Sequence, residues 1–184
     1  MPIELPVIQP SLEIGTINPQ TSKITVSDNH ISYSCSFSTD CCGDDSFFVP
    51  VTDMDIERIE QHDYEIDQIV EILSPELRFA KDNTAEKNYW IKRKPFTGKC
   101  TFLKDSKCSI HQFKPFACRI FPFQLLGNED GSYRVAIHKS KVCTSIKAVS
   151  REEAENRLIL ADLLKEVQLE DERRLVYFKK YGNG

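Results

Sequence analysis

The chain has 184 residues, room for one ordinary domain and too few for two well-cored ones. Hydrophobic residues make up 40% and charged residues 28%, a globular balance, and no apolar run reaches the roughly 18 residues of a membrane span. The net charge of −4 hides a division: residues 1–77 carry 2 basic and 15 acidic side chains, whereas residues 78–147 carry 15 basic and 5 acidic.

Taken in chain order, residues 1–30 are rich in Pro, Ser and Thr and include the β-branched run Lys23-Ile24-Thr25-Val26. They predict an extended N-terminal arm with one strand. Met1-Pro2-Ile3-Glu4-Leu5-Pro6 lacks the basic and apolar stretches of a secretory signal, so the expected location is cytoplasmic. The segment from Tyr33 to Asp45 is rich in Ser, Asp and Gly and reads as a loop. Thr52 followed by Asp55 predicts a capping arrangement that opens a helix over 53–61, with Ile56 and Ile59 inward. Ile66, Ile69, Val70 and Leu73 have helical spacing and predict a second helix over 65–73. Ser74-Pro75-Glu76 would start a further short turn.

Residues 89–103 read as β structure. Lys104-Asp105-Ser106-Lys107 predicts a hairpin turn that sets Cys100 and Cys108 on neighbouring strands. Pro115 begins a helical turn containing Cys118, and Phe121-Pro122-Phe123 ends it. A second hairpin joins Phe123–Leu126 to Tyr133–Ile137. Ser150 and Glu153 form a capping box that predicts a long helix from 151 to about 179. Leu160, Leu164 and Val167 make its apolar stripe, with Leu175 and Phe178 beyond; Asp171-Glu172-Arg173-Arg174 should bend or divide it. The expected fold is α+β: a small single domain of short hairpins and helices around a cysteine-ligated metal centre, with a long C-terminal helix. Its parts would be the arm at 1–30, a cysteine-cluster domain at 31–148, and the helix at 149–184 packed on that domain.

The seven cysteines carry the chemistry: Cys35, Cys41, Cys42, Cys100, Cys108, Cys118 and Cys143. Without an export signal, clustered thiols point to metal or redox chemistry rather than disulfides, and seven leaves one thiol over in any pairing. No C-x2-C pair or ferredoxin run occurs, so a site must be assembled from distant segments. Such a site would tie metal affinity to folding. Thiolates select zinc, iron–sulfur clusters or Cu(I) over Mg or Ca. Six or seven clustered thiols exceed the needs of one structural zinc, so an iron–sulfur cluster, [4Fe–4S] in particular, is favoured over Zn. Either centre is anionic and gains from Lys99, Lys104, Lys107, Lys114 and Arg119; Arg119, next to Cys118, is the expected donor to it. An open catalytic position would need His111 or His138, both of which read better as ordinary solvated or core residues. Asp44-Asp45 and Asp53/Asp55 read as loop and helix-start acids. No G-x-S-x-G, P-loop or H-E-x-x-H occurs.

The run from Lys99-Cys100-Thr101-Phe102-Leu103 through Cys108-Ser109-Ile110-His111, Lys114-Pro115, Cys118-Arg119 and Phe121-Pro122-Phe123 resembles the YkgJ-type cysteine-cluster family, described as zinc- or iron-chelating. The family's C-x2-C-x2-C-C element corresponds to Cys35 through Cys42, with Ser38 in place of its second cysteine; Cys143 would be its trailing cysteine. The resemblance spans about residues 33–145 and implies a small α+β fold around one four-thiolate centre with spare cysteines. Larger relatives of this type are flagellin lysine methylases.

The expected function is therefore a cytosolic metal-binding protein. The alternatives are a component of a methyltransferase or redox enzyme that uses the cluster, or a zinc-stabilised nucleic-acid- or protein-binding module. An unnamed protein partner or substrate is expected, and no membrane. Nucleic acid is disfavoured, because aromatic–basic alternation is weak.

Overall fold

The computed structural model describes residues 12–35, 39–44, 48–71, 88–138 and 143–181. Two strands, β1 (Leu12–Asn18) and β2 (Lys23–Val26), come first, then β3 (Ile31–Tyr33) and a single helical turn α1 (Asp40–Gly43). Next are β4 (Pro50–Thr52), α2 (Asp53–Glu60), α3 (Ile66–Ile69), β5 (Val70–Glu71) and β6 (Asn88–Ile91). The hairpin β7 (Leu103–Lys104) and β8 (Lys107–Cys108) leads through a 3-10 turn at His111–Phe113 to α4 (Phe116–Ile120). The strands β9 (Phe123–Gly127), β10 (Tyr133–Ile137) and β11 (Ile146–Ala148) precede the long helix α5 (Asn156–Tyr181).

By their own contacts the described residues form two compact units, one from 12–34 and 120–168, the other from 35–119 and 169–181. The first holds an antiparallel sheet in the order β2-β1-β10-β9, with β11 paired to β3. The segment expected as an arm thus supplies two strands, and Ile14 and Ile17 are fully buried. The pairing of Leu12 with Ile137 is far too distant in sequence for local propensity to reveal. Leu160, Leu163, Leu164 and Val167 of α5 are buried as the helical stripe requires. Gly15 allows the close approach: a Cβ there would stand 2.2 Å from the Thr25 carbonyl oxygen and 2.6 Å from Leu160 Cδ1.

The long helix starts later than its capping box suggests. Ser150 Oγ and the Glu153 carboxylate do meet at 3.0 Å. However, the Glu155 N–H donates to Ile31 O at 2.9 Å, so no helical bond to Arg151 forms and the box closes only a turn. Asn156 anchors the true start. It is 1% exposed; its Oδ1 accepts from Ile31 N at 2.9 Å and its Nδ2 donates to Asn29 O at 2.6 Å. The helix does not divide at 171–174, where Arg173 pairs with Glu170 one turn back. Leu175, expected on the stripe, is 64% exposed.

The second unit is built on the sheet β4-β6-β5 and a core of Val49, Val51, Ile56, Ile59, Ile69, Ile91, Phe102 and Ile110. The Thr52–Asp55 capping box opens α2 as expected, with Ile56 and Ile59 buried. The helix expected over 65–73 stops at Ile69, because Val70 turns extended and pairs with Ile91. A β-branched residue beside an open strand edge gains more from the ladder than from another helical turn. The turn expected at Ser74–Glu76 lies outside the described residues. Asp105 (φ 48) and Ser106 (φ 56) make the two-residue turn between β7 and β8, the hairpin that the sequence predicts.

Candidate metal centre

Three segments of the second unit bring cysteines together. The first is α1, where the expected loop coils once: Thr39, at φ 61, turns its carbonyl to accept from Cys42 N and Gly43 N, both at 2.9 Å. The second is the stretch before β7. Cys100 forms an antiparallel bridge with Arg93, and its N–H donates to Cys42 O at 2.9 Å, joining the two cysteine segments by their backbones. Cys108 is opposite Leu103 in the hairpin, so Cys100 and Cys108 are not strand partners as expected. The third is α4, which places Cys118 one turn after Pro115, with Cys118 N donating to Pro115 O at 3.0 Å. Cys42, Cys108 and Cys118 all pack on the hydrophobic core that contains Cys100.

The thiols face one another around Cys42. Its sulfur is 4.0 Å from that of Cys41, and the Cys100 and Cys108 thiols act on its pKa. The neighbouring Cys100, Cys108 and Cys41 thiols push the pKa of Cys42 above the ordinary thiol range. The partners move the other way. The bond from Cys42 lowers Cys41 to about 7, helped by the Lys114 ammonium. The same bond lowers Cys108 to about 6, with the Ile110 N–H and Lys114 adding to it. Cys100 is lowered by Cys42, then by the Phe102 N–H and Arg93. Cys118 is raised, first by burial and then by the negative charge of Cys100, Cys41 and Cys108. Three thiols with lowered pKa values beside one another make a pocket suited to a soft cation.

Four thiolates at the roughly 2.3 Å Zn–S distance of a tetrahedral site stand about 3.8 Å apart. The 4.0 Å between Cys41 and Cys42 is close to that edge. The donor chemistry and spacing thus fit a thiolate-bound metal. Even so, among the described residues no group of three or more Cys, His, Asp or Glu side chains is already set out as a coordination site.

Cys35 is exposed, and Cys143, half-buried, belongs to the first unit. Arg119 donates to Lys114 O at 3.1 Å, is ion-paired with the buried Glu170, and lies over the Phe116 ring. His111 is held below the usual imidazole value by partial burial and by Lys114.

Two supporting residues escape sequence reasoning. Arg93 Nη1 donates to Asp44 O at 2.7 Å and to Gly98 O, bracing the loop that leads to Cys100. Asp55 does more than cap its helix: it accepts from Phe116 N at 3.0 Å, fixing the start of the helix that carries Cys118. Its unusual placement in a capping box is local and readable; its second partner, 61 residues away, is not.

A family model named CxxCxxCC, described as a "putative zinc- or iron-chelating domain", matches residues 34–144. No curated protein and no solved structure matches the chain.

Proposed function

The chain belongs to the CxxCxxCC family of zinc- or iron-chelating domains, and from that membership we propose that it holds a metal through Cys42, Cys100 and Cys108, closed by Cys41 or Cys118. The observation that carries this reading is geometric: the Cys41 and Cys42 sulfurs are 4.0 Å apart, Cys100 N donates to Cys42 O at 2.9 Å, and Cys42, Cys108 and Cys118 pack on the core that holds Cys100. Cys35 and Cys143 stand outside this set. A bound cation would draw every ligating thiol into its thiolate form. Lys114 and Arg93 temper the negative charge that remains.

The 4.0 Å between the Cys41 and Cys42 sulfurs matches two ligands of a single tetrahedral ion, Zn²⁺ or iron. The second reading is the iron–sulfur cluster that the sequence leads one to expect. It is favoured by the fifth thiol, one more than a single ion needs, and would require the thiols to stand farther apart, each on its own iron. A reducing compartment such as the cytoplasm is where free thiolates of this kind persist. Among the described residues no helix is long and apolar enough to cross a membrane.

Anaerobic purification followed by zinc, iron and acid-labile sulfide analysis tests the reading. One zinc or iron per chain without sulfide supports the single ion; iron with matching sulfide and visible colour supports the cluster. A folded, reduced protein containing neither metal overturns both.

A further inference from the structure

A cleft of about 520 Å³ opens in the second unit, lined by His62, Tyr64, Lys92, Thr101, Phe102 and Lys104. Thr101 and Phe102 directly follow Cys100 in the chain, and no cysteine lines the cleft. Its volume suits a small organic molecule.

The lining divides into two kinds of surface. One is aromatic. Tyr64 meets Phe102 edge to face at 5.3 Å, and the His62 ring is held flat on Phe113 at 3.8 Å. These rings are fixed before any ligand arrives, so little ordering is lost on binding. The other is a set of donors. Among the described residues the Lys104 ammonium and the hydroxyls of Thr101 and Tyr64 have no protein partner. Lys92 donates to Asp67 O. Two ammonium groups face a single carboxylate, Asp63, so the cleft is cationic.

We propose that this cleft binds a small organic anion built on a planar ring. The ring lies against Tyr64 and His62, and a carboxylate or phosphate meets Lys104, Lys92 and Thr101. Aromatic walls without cations would suit a neutral ligand, and cations without walls would suit a free ion; their combination selects for both parts in one molecule. The proposal does not depend on which metal, if any, the thiols hold.

Calorimetric titration of the full chain with adenosine 5′-monophosphate and with benzoate tests it, inorganic phosphate and benzyl alcohol serving as half-ligands. At least one ring-bearing anion should bind with a sub-millimolar Kd, and each half-ligand at least about tenfold more weakly. Lys104 is exposed in a hairpin, so Lys104→Met should leave the circular dichroism spectrum unchanged and weaken binding about tenfold. Thr101→Val should weaken it less. The proposal is overturned if neither ring-bearing anion binds, if inorganic phosphate binds as tightly as the nucleotide, or if Lys104→Met binds unchanged.

Discussion

Asp55 is the residue at which stability and the thiol site meet most directly. It is 1% exposed, and its carboxylate accepts from Thr52 N at 3.2 Å, Thr52 Oγ1 at 3.3 Å, Arg58 Nη2 at 2.5 Å and Phe116 N at 3.0 Å. Asp55→Ala removes all four bonds. Losing the reciprocal cap costs about 1 kcal/mol. Stranding the Phe116 N–H costs a further ~1–3 kcal/mol. Arg58 loses its carboxylate but keeps bonds to the Phe113 and Lys114 carbonyls, so its share falls below that of a fully stranded charge. The sum is about 3–5 kcal/mol. Asp55→Asn keeps an acceptor and should cost about half as much. Urea denaturation of the metal-loaded chain, followed by circular dichroism, reads the difference as a lower midpoint at unchanged slope. Because Phe116 opens the helix of Cys118, Asp55→Ala should also lower the metal content. A loss below about 1 kcal/mol in Asp55→Ala would show that Asp55 is an ordinary cap and refute its role as a junction.

Replacing Cys42, Cys100 or Cys108 singly with serine should abolish stoichiometric metal in the purified protein, whereas Cys35→Ser should retain it; equal loss in all four would dismantle the ligand assignment. In the reduced, metal-free chain, iodoacetamide should still label Cys108 and Cys41 near pH 6–7, the range of their lowered pKa values, while Cys118, whose pKa is raised, stays slow. An ordinary thiol of pKa about 8.5 loses almost two orders of magnitude of thiolate between pH 8 and pH 6, so peptide mass spectrometry showing Cys108 and Cys118 falling in parallel would contradict the lowered value. Gly15→Ala should cost about 2–3 kcal/mol, since its methyl would overlap the Thr25 carbonyl and Leu160; an unchanged melting temperature would mean the helix can retreat from the sheet at no cost.

Local chemistry is what the sequence made legible. The Thr52–Asp55 box, the turn at Asp105-Ser106, Pro115 at the mouth of a helix and the hairpin from Phe123 to Ile137 depend on neighbours a few residues apart. Features set by distant partners stayed hidden. Val70 leaves its helix for Ile91, Glu155 turns to Ile31, and β1 finds β10, each through pairing that local propensity cannot encode. The thiol site was legible in the same partial way. Cysteine type and clustering named the chemistry, and the motif rhythm named the family that residues 34–144 match. That Cys42 is the hub, and that Arg93 and Lys114 are the cations that act on the thiols, depends on backbone contacts such as Cys100 N to Cys42 O.

One repeated device explains why so small a unit can hold these sulfurs in place. In Cys100-Thr101-Phe102 and again in Cys108-Ser109-Ile110, the cysteine stands two residues before a core side chain, and after Cys42 the backbone N–H of that second residue is what lowers the cysteine's pKa. Those two residues, Phe102 and Ile110, are 2% and 1% exposed and belong to the core. Burial of the apolar side chain fixes the peptide, and a fixed N–H dipole near the sulfur favours the thiolate. Core packing and thiolate presentation are therefore one event at both positions. Any cation gathered by these sulfurs binds only when Phe102 and Ile110 are packed, so its affinity is expressed as folding stability of the unit that carries it.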